Sequence, residues 1–90
     1  MAYTLPQEDA RGAKAREILE EPLVAEAFSK IEAEILSAWE DSPARDIEGR
    51  EKLYQMLMLT RKVKRHFESV VLTGEMARRT LAEYARKERL

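Results

Sequence analysis

The chain has 90 residues, no cysteine, and 16 basic against 17 acidic side chains, a formal net charge of −1. That length allows one small domain with a marginal core of its own, and the lack of cysteine excludes a disulfide framework, a thiolate metal site and a cysteine nucleophile. Charged residues at 37%, with only three Gly and three Pro, are the composition of long helices and argue against sandwiches, barrels, collagen and disorder.

Residues 1 to 6 read as an extended lead-in, with neither the basic nor the apolar region of a signal peptide. Thr4 and Gln7 match a capping box, and Pro6 suits the first turn, where its missing N–H costs nothing. Glu8 and Asp9 complement the positive end of the helix dipole. A short first helix is expected over about 6–20, weakly amphipathic through Ala10, Ala13, Ile18 and Leu19. Gly12 lowers its propensity by about 1 kcal/mol relative to Ala.

Glu20-Glu21-Pro22 interrupts the chain, because proline disfavours the α conformation in the residue before it. A second helix is expected over about 22–41. Val24, Phe28, Ile31, Ile35 and Ala38 form one face, widened by Leu23, Ala27, Leu36 and Trp39. Glu26, Lys30, Glu34 and Asp41 lie opposite. The cluster Asp41-Ser42-Pro43-Ala44-Arg45-Asp46 is a turn. Ser42 could cap a helix starting at Pro43, or Asp46 one starting at Ile47, and both are chemically reasonable. So short a connection implies antiparallel neighbours.

The third helix is expected over about 47–88. Leu53, Met56, Thr60, Val63, Phe67, Val70, Gly74, Ala77, Leu81 and Tyr84 alternate at spacings of three and four. A sustained repeat of this kind reads as a coiled-coil seam. Thr73-Gly74 is the one place a break could fall, although the register crosses Gly74 without a slip, which favours continuity. If the helix continues, Gly74 and Ala77 leave a notch where another backbone can approach. The fold expected over residues 1–90 is therefore a single all-α domain. It is an antiparallel helical hairpin with a long coiled-coil-like third helix and a short N-terminal helix, folded against the hairpin or mobile. The seam outruns the second helix, so Val70, Gly74, Ala77, Leu81 and Tyr84 are the candidate protein interface, exposed unless another chain covers them.

Charge is uneven. Residues 1–60 carry 13 acids and 7 bases, net −6, and residues 61–90 carry 4 acids and 9 bases, net +5. Solvated helix faces and intramolecular pairing of the acidic second helix with the basic third account for this most simply. Head-to-tail assembly is a second reading. Nucleic-acid contact through Arg61, Lys62, Lys64 and Arg65 is a third, disfavoured by the acidic isoelectric point near 5.9 and by the lack of interleaved aromatics.

The chemistry of an enzyme is not visible. His66 is the lone histidine, no Glu stands three residues before it, and it reads as a packed or interfacial residue rather than a ligand or base. There is no phosphate-binding glycine loop and no Gly-x-Ser-x-Gly. No catalytic, cofactor-binding or metal-ligating residue is assigned, and no cofactor, small-molecule substrate or membrane contact is expected. Trp39 and Tyr54 flank the turn, as closing core residues or as partner anchors.

The stretch from Ser42 to Tyr54, Ser-Pro-Ala-Arg-Asp-Ile-Glu-Gly-Arg-Glu-Lys-Leu-Tyr, together with Glu20-Glu21-Pro22-Leu23 and Glu68-Ser69-Val70-Val71-Leu72-Thr73-Gly74-Glu75, resembles small helical proteins encoded among bacteriophage and prophage structural genes. The likeness covers most of residues 10–82 and is one of short segments. It carries over no catalytic or ligand residue. It implies a phage-encoded structural or assembly protein, located in the host cytoplasm or the virion, whose partners are its own copies or other phage proteins. A DNA-packaging accessory and a small binder of a host protein are the alternatives.

Overall fold

The computed structural model describes residues 2–89. It is all-α: α1 spans Leu5–Glu20, α2 spans Pro22–Asp41 and α3 spans Ile47–Glu88. No strand occurs among the described residues. α2 and the first half of α3 form the antiparallel hairpin.

Each helix starts on a side chain that satisfies its free N–H groups. At α1 the capping box is complete: the Gln7 N–H donates to Thr4 Oγ1 at 3.3 Å, and the Thr4 N–H donates to Gln7 Oε1 at 2.9 Å. At α2 the cap is Glu21, in extended backbone just before Pro22. Its Oε2 accepts from the N–H groups of Leu23 at 2.9 Å and Val24 at 3.1 Å. Glutamate is not among the preferred N-caps, so α2 has its first turn capped by a residue that propensity does not single out.

At α3 the two caps left open by the sequence resolve in favour of Asp46, whose Oδ1 accepts from the Gly49 N–H at 3.1 Å. Ser42 closes α2 instead: its hydroxyl donates to the Trp39 carbonyl at 2.6 Å. Asp46→Ala is expected to cost about 1 kcal/mol and to fray the first turn of α3. Amide exchange at residues 47–50 would register that loss, and unchanged protection there would contradict the cap.

The chain divides into two compact units. One holds α2 and the part of α3 up to Arg65. Ile35 is its buried centre, at 6% exposure, and Val24, Phe28, Leu53, Leu57 and Thr60 are half-buried. The seam does not face α2 squarely. Leu57 turns inward, whereas the seam residues Met56 and Val63 stay exposed.

The other unit holds α1 and α3 from His66 onward. The two helices run antiparallel: Ala15 and Ile18 lie beside Phe67 and Val70, and Glu8 lies beside Gly74. The buried residues of α1 are Gly12 and Ala15; those of α3 are Gly74 and Ala77. Both pairs read Gly-x-x-Ala. The helices cross at the glycines so closely that a Cβ on Gly12 would lie 2.6 Å from the Gly74 Cα. α3 runs through Thr73 and Gly74 without a break.

This unit corrects the expectation of an uncovered seam. The notch at Gly74 and Ala77 is filled, but by α1 of the same chain. A weakly amphipathic helix can do this because backbone proximity replaces side-chain volume, so few large apolar residues are needed.

Candidate functional site

The structure offers helix faces and shallow clefts between helices; one cleft, beside the Gly12–Gly74 crossing, is lined by Asp9, Arg16, Glu75 and Arg78. Among the described residues, no three His, Asp or Glu side chains converge as a metal site would require.

Of the residues expected to meet another chain, Gly74 and Ala77 are buried under α1, Val70 and Leu81 are half-buried, and Tyr84 remains 53% exposed. Gly74 and Ala77 are thus occupied within the chain, and an intermolecular role there would require α1 to leave. An ion pair between Arg16 of α1 and Glu75 of α3 borders the same crossing. Leu72 and Met76, four apart on α3, point to solvent in this unit.

The four candidate nucleic-acid contacts are not equivalent. Arg61 is engaged: its Nε lies 2.5 Å from Glu32 Oε1 on α2. The Arg65 Nε–H donates to the Arg61 carbonyl at 3.4 Å. Lys62 and Lys64 are exposed. At about 100° per residue, Lys62 turns away from the face that Arg61, Lys64 and Arg65 share. Arg61 belongs to the α2–α3 contact, so it is not a free phosphate ligand. As an exposed pair, Glu32–Arg61 contributes little to stability, within about 1 kcal/mol. His66 is exposed, its ring edge-on to Phe67 at 6.3 Å, so the expectation of a packed residue does not hold within the chain.

Trp39 and Tyr54 only partly close the end of the hairpin. With Ile35, Leu36, Leu53 and Leu57 they line a groove open to solvent. The residue that covers Trp39 is Arg50, whose guanidinium stands 4.0 Å from the indole centroid. Its Nη1 also donates to Ser42 Oγ at 2.8 Å and to the Trp39 carbonyl at 3.3 Å. One cation thus neutralises the negative end of the α2 dipole and stacks on an aromatic ring. Sequence reasoning passed over Arg50, because nothing local ties residue 50 to residue 39.

No family model matches this chain, and no curated protein or solved structure is significantly similar to it.

The remaining exposed apolar side chains of the hairpin are Leu23, Ile31 and Leu36 on α2 and Ile47, Met56, Leu59 and Val63 on α3. Single exposed leucines are ordinary on protein surfaces. Here they outnumber the buried ones: among the described residues, Ala15, Ile35 and Ala77 are the buried hydrophobic residues, and only Ile35 is larger than alanine. Among the described residues, no helix is long and apolar enough to cross a membrane.

Proposed function

We propose that this protein is a non-enzymatic structural or assembly protein that works as an oligomer through helix–helix interfaces. The observation that carries the reading is the imbalance between core and surface. Among the described residues, Ile35 is the only buried apolar side chain larger than alanine, whereas Leu23, Ile31, Leu36, Met56, Leu59 and Val63 in the hairpin and Leu72, Met76 and Tyr84 further along α3 are exposed. These lie on regular helices, the elements best suited to side-by-side packing.

The resemblance of residues 20–23, 42–54 and 68–75 to helical proteins of phage structural genes supplies the proposed setting, assembly of a phage particle in the host cytoplasm or within the virion. Light scattering across a concentration series tests the oligomer. A mass of two or more chains at tens of micromolar is expected. A well-folded monomer over the whole range would sink the reading.

A further inference from the structure

Clefts flank α1 where it lies on α3, and one of them differs from the others in charge. This cleft measures about 320 Å³. Its floor is apolar: Ala15 and Ile18 come from α1, Phe67 and Val70 from α3. Its polar lining is Arg11 and Lys14 on one wall and His66 on the other, with no carboxylate. On the opposite side of α1 the signs are mixed. There Asp9 and Glu75 accompany Arg16 and Arg78, and Glu20 and Glu68 accompany Arg16.

The charges of the first cleft are available to a ligand. Among the described residues Arg11 has no carboxylate partner. Its guanidinium stands over the Tyr3 ring, 4.0 Å from the centroid. Lys14 meets only Glu17, loosely at 3.6 Å, with both side chains well exposed.

We propose that this cleft binds an amphiphilic anion. Arg11 and Lys14 hold a carboxylate or phosphate head, and an alkyl chain lies along Ile18, Phe67 and Val70. The proposal does not depend on the assembly reading above.

Each feature of the cleft selects part of that ligand. Cations without neighbouring acids select an anionic head, which Arg can grip through two N–H groups. The floor selects an apolar body, and an apolar lining with a few placed polar groups between packed helices is the make-up of a small-ligand site. The length selects a small molecule. From Arg11 to Ile18 is about 10 Å of helix. One turn before Arg11 stands uncharged Gln7, and α1 ends at Glu20, so on α1 the cationic stretch is too short to track a polymer backbone.

Titration of the full chain with decanoate, followed by amide NMR shifts, tests this. Shifts are expected at residues 11–18 and 66–70, saturating with a Kd of about 1 mM or tighter. Acetate, which has the head alone, and decyltrimethylammonium, which has the opposite charge, should leave those amides unmoved at the same concentrations. Arg11 and Lys14 are exposed, so Arg11→Gln/Lys14→Gln is expected to keep wild-type helicity by circular dichroism. It should weaken binding at least about tenfold. Arg79→Gln/Arg86→Gln removes as much charge at exposed positions outside the cleft and should change binding less than about twofold. Absence of shifts at these amides, or equal shifts with the cationic amphiphile, would overturn the proposal. So would undiminished binding in the Arg11/Lys14 variant. Vesicles of phosphatidylcholine with phosphatidylglycerol and an oligothymidylate separate the other anions. Binding to either, with no response to dissolved decanoate, would replace the free ligand by a membrane surface or a nucleic acid.

Discussion

Gly74→Ala is expected to destabilise the protein, although it places a better helix former in the middle of a long helix. Propensity alone favours the change by about 1 kcal/mol. The new Cβ, however, would lie 2.6 Å from the Gly12 Cα, 2.9 Å from the Glu8 carbonyl oxygen and 3.1 Å from the Gly12 nitrogen. All three are backbone atoms of α1, so no rotamer change relieves the overlap. α1 must move away or undock. Overpacking of this kind typically costs about 1–3 kcal/mol, which outweighs the gain. Gly12→Ala should behave alike, since its Cβ would meet the Gly74 Cα at 2.6 Å and the Val70 carbonyl at 3.1 Å. The double variant should cost less than the sum, because either change alone already separates the helices. Hydrogen exchange gives the local readout: amides of Leu5–Glu20 lose protection in Gly74→Ala, while those of α2 do not. A rise in melting temperature in either variant would mean that α1 is not docked as described, because only propensity would then be acting.

Ile35→Ala is the second large effect, and it falls in the other unit. Ile35 is 6% exposed and is the one buried apolar side chain of the hairpin. Such truncations cost about 2–5 kcal/mol. The lower part of that range is expected, because Val24, Phe28, Leu53 and Leu57 are only half-buried and can settle into the space. A chain of this length has a total stability of roughly 5–13 kcal/mol. The loss should therefore lower the melting temperature by about 10 °C or more. Ser29→Ala is the matched control on the same helix: its side chain is polar and exposed, outside the apolar surface assigned to assembly, so it should change stability by less than about 0.5 kcal/mol. Urea denaturation of the two variants side by side decides the matter. Equal effects would mean that α2 does not pack on Ile35.

Some interactions in the structure were legible in the residues and others were not, and the difference is one of range. The capping box of Thr4 and Gln7 closes over three residues, and the break at Glu21-Pro22 follows from a clash with the neighbouring residue. The choice between Ser42 and Asp46 stayed open in the sequence because both side chains can reach an N–H three residues on. Ser42 is held at the end of α2 by its hydroxyl on the Trp39 carbonyl and by Arg50, which arrives from eight residues away to bind Ser42 Oγ. The twin Gly-x-x-Ala segments at Gly12–Ala15 and Gly74–Ala77 are plain in the sequence. Their pairing is not, because small residues leave no hydrophobic period to read.

By itself the sequence determined the three helices, their order and the opposite charge of α2 and α3. These depend on contacts within about four residues and on composition. The sequence left open a break at Thr73-Gly74 that the structure closes. Only the tertiary structure decided what lies on the long stripe of α3. A heptad pattern fixes which side of a helix is apolar, but not its partner or how squarely that partner sits. In the hairpin α2 packs off centre, taking Leu57 inward and leaving Met56 and Val63 in solvent. At Gly74 and Ala77 the cover is α1, because two helices without Cβ atoms at their crossing approach more closely than large side chains would allow.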